Sequence, residues 1–262
     1  MSRNGHKCVT ARHCPHLEGL FIVHNRTTVL ATAIGTVLLA PAALSAEALP
    51  LPPPPRWEHR APVVREAAVT AADLLAAVKG CAQVSQGRFR TDAVAAAETV
   101  PVCGTAGAVH WTADMDIDCD GRPGRYCNKE TDPSFTAMTA FQQSDGRYLS
   151  AEELPFIVVP ARGSRWKHSD HGVHGGSVVA VIHEDKVLYA VVGDTGPTGI
   201  IGEASYAAAE ALGIPSDPRT GGVPSGVTYI VFKDSKAKPI ESRSAAVTEG
   251  ERLARELVAR TG

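Results

Sequence analysis

"GGSVVAVIHEDKVLYAVVGDTGP", residues 175–197, holds two valine-rich runs on either side of a short polar turn, "HEDK". Each run is too short for a stable helix and is rich in β-branched residues, and glycine punctuates both outer ends. That combination predicts a β-hairpin. The same texture recurs outward along the chain in "PFIVVP" and "GVTYIVFK", short apolar runs bounded by glycine and proline. Several short strands with few helices predict a mainly β domain, a compact six-stranded barrel, over about residues 70–235.

Three helices interrupt the pattern. "TAADLLAAVKGCAQV" (70–84) has helical spacing at Leu74, Leu75 and Val78, with Gly80 near its end. "EASYAAAEALGI" is alanine-rich with a stop at Gly213, and "AAVTEGERLARELVARTG" has apolar spacing at Leu253, Leu257 and Val258. The last defines a C-terminal helical extension, 236–262, which either packs on the domain or hangs from it.

The N-terminal part reads differently. Arg3, Lys7, Arg12 and Arg26 precede "TTVLATAIGTVLLAPAALSA", which runs to Ala46 without a charge. A basic flank, an apolar core and small residues at the end predict a signal peptide over 1–46; a retained membrane anchor is the rival. Pro41 and the "ALSA" ending favour cleavage. A proline-rich linker is expected over 47–69. The whole chain has 26 Lys+Arg and 28 Asp+Glu, net −2. Without the four basic residues and the single acid (Glu18) of the leader it becomes mildly acidic, which excludes nucleic acid as a natural partner and suits a cationic one.

Cysteine use agrees with export. Cys8 and Cys14 fall in the leader, leaving Cys81, Cys103, Cys119 and Cys127, which allow three pairings. Cys81–Cys103 with Cys119–Cys127 is favoured because both close short loops. Zinc is the alternative, but there is no C-x-x-C spacing.

Three clusters carry possible chemistry. In "DMDIDCDG", Asp114, Asp116, Asp118 and Asp120 alternate, so a strand would turn all four to one face, away from Met115, Ile117 and Cys119. Like charges in such a row repel unless a cation sits among them. Calcium is one candidate, since the segment imitates the start of an EF-hand loop, but the twelfth position is Cys127 where glutamate is needed. A positively charged substrate is another, and a solvated acidic edge strand is the plain reading.

The second cluster, "GDTGPTGIIGEAS" (193–205), places Asp194 and Glu203 in an otherwise uncharged run. Two carboxyl groups of this kind serve glycoside hydrolysis, one protonating the leaving oxygen and one activating water or attacking carbon. Glu203, behind two isoleucines and a glycine, has the apolar setting that raises a carboxyl pKa, and Asp194 suits the ionised role. A hairpin with an acidic tip is the plain reading here. The third cluster is His168, His171 and His174 in "HSDHGVHGG", a spacing that admits a metal, though a solvated loop is the plainer reading.

Taken in order, "ADMDIDCDG", "TDPSF", "LPFIVVP", "GGSVVAVI", "VLYAVVGDTGP", "IGEAS" and "GGVPSGVTYIVF" resemble glycoside hydrolase family 75, secreted chitosanases best known from fungi. The resemblance covers about residues 80–233. It implies endo-hydrolysis of β-1,4 bonds in chitosan, a glucosamine polymer, with inversion and no cofactor or metal. It also implies an essential aspartate at Asp194 and an essential glutamate at Glu203. Asp116, Asp118, Asp120 and Thr195 are then the expected substrate contacts, the acids matching the amines that chitosan carries and chitin does not. The segment "TGPTGII" is shorter than its fungal counterparts. "GDTG…GE" also looks similar to the last part of double-psi β-barrel hydrolases and lytic transglycosylases, and on that analogy Glu203 is the general acid and Asp194 the base or the group that orients the water. Inversion implies carboxyls roughly 6.5–9.5 Å apart. The expected protein is thus a secreted, extracellular monomer with chitosan as its partner and no membrane contact once the signal is removed. Two rivals remain: a non-catalytic polysaccharide- or wall-binding barrel, which the 5% aromatic content disfavours, and a lytic enzyme on peptidoglycan, whose acidic groups the aspartates would repel.

Overall fold

In the expected hairpin, Val178–His183 (β5) and Lys186–Gly196 (β6) pair antiparallel from His183↔Lys186 to Val178↔Val191. Only Glu184 and Asp185 lie between them, and Glu184 takes φ 55, the left-handed conformation that tight hairpins use. The computed structural model describes residues 68–261. The signal peptide expected over 1–46 and nearly all of the linker lie outside the described residues.

Around this hairpin the sheet closes. Ala108–Asp118 (β3), Phe156–Pro160 (β4), Glu203–Ser205 (β7) and Val223–Phe232 (β8) join it in the cyclic order β3-β7-β4-β6-β5-β8, and β8 pairs back onto β3. This is the six-stranded barrel expected from the sequence. Closure leaves the barrel strands without a free edge along most of their length. Two neighbouring pairs, β3–β7 and β4–β6, are parallel; the others are antiparallel. Ala82–Gln83 (β1) and Cys103–Thr105 (β2) extend the sheet beside the start of β3.

Strand alternation divides the apolar residues into two layers. Trp111, Tyr229, Ile157, Val159, Val192, Met115 and Ala204 fill the barrel. Trp111 stacks on Tyr229 at 5.4 Å, and Trp166 meets Trp111 edge-on at 6.1 Å. The outward residues Val178, Ala180, Ile182, Ile230 and Phe232 form a second layer with two helices, Ala71–Ala77 (α1) and Arg243–Thr261 (α3). In α1, Thr70 and Asp73 form a reciprocal capping box, which satisfies N–H groups that the first turn leaves free. In α3, Ala246, Gly250, Ala254 and Leu257 are buried, so the helix packs onto the domain. A Cβ on Gly250 would stand 2.3 Å from the Tyr189 ring, and this close approach lets α3 lie on β6.

The third helix, Tyr206–Leu212 (α2), follows β7 directly, capped by Ser205 and stopped at Gly213 with φ 74. Disulfides join Cys81 to Cys103 and Cys119 to Cys127, the expected pairing. Among the described residues no helix is long and apolar enough to cross a membrane.

Candidate active site

The functional face is built on the outer side of the barrel, where β3 and β6 end. Ala204 points into the barrel core, so its neighbour Glu203 points outward. The parallel register pairs Asp116 with Glu203 and Asp118 with Ser205, so Asp116, Asp118 and Glu203 share that outward face. Asp194 reaches the same face through an irregularity. Val192 is an inward residue opposite Ile157, and strict alternation would turn Asp194 inward as well. Between Ile157 and Val158 the register slips by one: Ile157 faces Val192, but Val158 faces Asp194.

Gly193 is the extra residue of this bulge, which re-aims the side chain that follows. A Cβ on Gly193 would sit 2.6 Å from Phe156 Cβ, in the outer layer, so only glycine fits there without displacement. Across the face, Glu203 reaches over Val158 towards β6. A Cβ on Gly196 would lie 2.7 Å from Glu203 Oε2 and 3.1 Å from Val158 Cγ1. Glu203 and Asp194 therefore flank an apolar floor made by Val158.

The two groups differ in their partners. Asp194 is buried, and its Oδ1 accepts the N–H of Ala140 at 2.7 Å and of Thr195 at 2.6 Å. Burial pushes its pKa up to about 6 against those two donors, with Asp120 adding repulsion. Glu203 is half-buried and has neither a hydrogen-bond nor an ion-pair partner among the described residues. Burial, followed by repulsion from Asp116, Asp194 and Asp120, pushes its carboxyl up to about 7.

The aspartate row is less uniform than its spacing suggests. Asp116 is exposed as a residue, but the protein packed around its carboxyl partly desolvates it and, with Asp92, raises its pKa. Asp118 is half-buried and accepts the Asp120 N–H at 2.8 Å; burial raises it well above the ordinary range. Asp120 lies past the strand end, where its Oδ1 accepts the Thr136 N–H at 2.6 Å, and burial raises it too. Because β3 ends at Asp118, Cys119 does not continue the inward alternation. It joins the outer layer and bonds Cys127. Asp114 departs furthest, being 6% exposed and tucked beneath Gly202.

The ion pairs of the described residues use other acids, among them Glu98, Asp145, Glu153, Glu249 and Glu256. The face is thus a run of carboxyls that make no ion pair among the described residues, with Lys129 acting on Asp120 only at a distance, an arrangement suited to an external cation. The histidines stand apart from it. His168 is buried, its Nδ1 2.9 Å from the Val173 carbonyl and its ring against Trp166, while His171 packs on the same tryptophan. Aromatic packing thus replaces the expected solvated loop at His168 and His171, while His174 is exposed in the loop before β5. No group of three metal-ligating side chains is gathered among the described residues. Ala140 and Thr136, which supply backbone N–H groups to Asp194 and Asp120, escape sequence reasoning because a backbone donor has no residue signature.

Residues 115–259 match the family described as fungal chitosanase of glycosyl hydrolase group 75. An endo-chitosanase of Aspergillus fumigatus is 32% identical over 135 residues, 48% of this chain and 56% of that protein. Endo-chitosanase B of Aspergillus oryzae is 33% identical over 138 residues (49% and 57%). Endo-chitosanase C of the same species is 33% identical over 136 residues, 50% of this chain and 33% of its own. The chain spans between a third and somewhat over half of the length of these relatives.

Proposed function

The chain belongs to the fungal chitosanase family of glycosyl hydrolase group 75, and from that premise we propose that it is an endo-acting, inverting hydrolase of the β-1,4 bonds of chitosan. The observation that carries this reading is the outward face on which Glu203 and Asp194, both with raised pKa, flank Val158 without a basic partner. Glu203, having no donor to hold its anion, carries the proton and delivers it to the glycosidic oxygen. Asp194, held as a carboxylate by the Ala140 and Thr195 N–H groups, takes a proton from the water that attacks the anomeric carbon from the opposite side. Asp116, Asp118 and Asp120 line the approach, where protonated amines replace the missing counter-charges. The four cysteines bonded in pairs fit an exported protein, acting as a monomer.

The test is reducing-end release from chitosan and from chitin side by side, with product anomers followed by NMR. Chitosan should be cleaved and chitin left nearly intact, with the α-anomer appearing first. Glu203→Gln and Asp194→Asn should each lower the rate at least ~100-fold while keeping the wild-type fold by circular dichroism. Near-normal activity in either variant defeats the role assignment, and an initial β-anomer defeats inversion.

A further inference from the structure

Asp114 is the one acid of the aspartate row that the proposed chemistry leaves idle. It is 6% exposed, and its Oδ1 is buried without a hydrogen-bond partner. A Cβ on Gly202 would stand 2.1 Å from that oxygen, so the carboxyl packs directly against the Gly202 backbone. Gly202, with φ 128, is the residue before Glu203, and its carbonyl accepts the Asp116 N–H at 2.8 Å. This is the first contact between β3 and β7. Whatever fills the space under Gly202 therefore sets where Glu203 begins.

The groups facing Asp114 make a charge there untenable. Asp116 lies on its own strand, Glu203 on β7 and Asp92 in the loop before β2, all acidic. On β8, Tyr229 donates its hydroxyl to the Asp114 backbone oxygen at 2.8 Å, leaving the carboxyl only its own backbone N–H. An ionised Asp114 would be a buried anion among like charges, relieved only by moving away from the corner.

We propose that Asp114 is a positioning residue for Glu203: as a neutral carboxylic acid it seats the Gly202–Glu203 corner against β3, and on ionising it unseats that corner. The inference rests on the reading of Glu203 as general acid. Burial and then Asp116 push the Asp114 pKa up to about 7, where Glu203 also titrates. The alkaline loss of activity in the wild type therefore involves one proton more than the general acid alone would give.

The experiment compares wild type, Asp114→Ala and Asp114→Asn on a soluble glucosamine hexamer between pH 4 and 9, alongside thermal melting over the same range. Asp114→Ala should lose kcat about tenfold or more at every pH, with KM changed less than about twofold. Asp114→Asn, neutral and of the same shape, should restore kcat to within about threefold on the acid side. Its alkaline limb should fall by one proton fewer than that of the wild type. The melting series needs no catalysis: the advantage of Asp114→Asn should grow from about pH 4 to about 7 and then stay level, because the folded wild type holds a proton that the unfolded chain releases. An equally steep limb in Asp114→Asn, or a melting difference that is flat throughout, overturns the inference. A wild type that cleaves nothing defeats the proposed activity instead, and the melting series then decides on Asp114 alone.

Discussion

In the proposed mechanism two backbone donors separate the roles of Asp194 and Glu203. Both carboxyls sit in surroundings that disfavour charge, but only Asp194 has N–H groups aimed at its anion. Because they are coupled, the pair titrates with apparent values near 6 and near 7. In the proposed mechanism the productive state carries one proton, on Glu203. On a glucosamine oligomer kcat/KM should therefore trace a narrow bell, failing below about 6 as Asp194 is protonated and above about 7 as Glu203 is emptied. A plateau extending down to pH 4 would contradict it. The same burial has a stability signature. The folded pKa of Glu203 lies above its ordinary 4.5, so the fold favours the protonated form, and stability is lost as pH rises from about 4.5 to about 7. Glu203→Gln escapes that loss. At pH 8 it should be more stable than the wild type by on the order of 2 kcal/mol in denaturant unfolding, and equal midpoints at pH 8 and at pH 4 would refute this.

At the scale of the element, the bulge in β6 does what alternation cannot. Gly193→Ala places a methyl group against Phe156, so β6 or the outer layer must shift, and Asp194 shifts with it. Kcat should fall about 10- to 100-fold and stability by about 1–3 kcal/mol, read from turnover and from denaturant midpoints. Unchanged kcat would show that Asp194 does not depend on the bulge. This is also where the sequence stops being legible. The β5–β6 hairpin was readable because valine runs and a two-residue turn are local, and so were the α2 stop at Gly213 and the two short disulfide loops. The slip at Gly193 was not, because it exists only relative to β4, a strand more than thirty residues earlier. Asp114 looked equivalent to Asp116 and Asp118 for the same reason. Its burial is imposed by Gly202, which arrives from β7.

Seen whole, the barrel has two differently used outer regions. Around β5 and the start of β6 the outside is closed by α1 and α3; at the ends of β3 and β6 it is left to carboxyl groups. Among the described residues none of the acids of the open region forms an ion pair, so the binding of the proposed cationic polymer there should weaken with salt. The acids will not share this work equally. Asp116 is exposed, whereas Asp118 is half-buried, and burial holds its carboxyl well above the ordinary range and so disfavours its charge. In the proposed complex coulombic attraction then belongs chiefly to Asp116, while Asp118 contributes hydrogen bonding. At pH 5.5, Asp116→Asn should raise KM for chitosan about three- to tenfold with kcat nearly kept, and should flatten the rise of KM between 20 and 300 mM salt, roughly the range over which the Debye length shortens below a site's width. Asp118→Asn should change KM less and leave the salt slope intact. If the two variants lose the same salt dependence, both acids are charged when substrate binds. The face is then a uniform anionic track, and the division between the exposed and the half-buried aspartate is wrong.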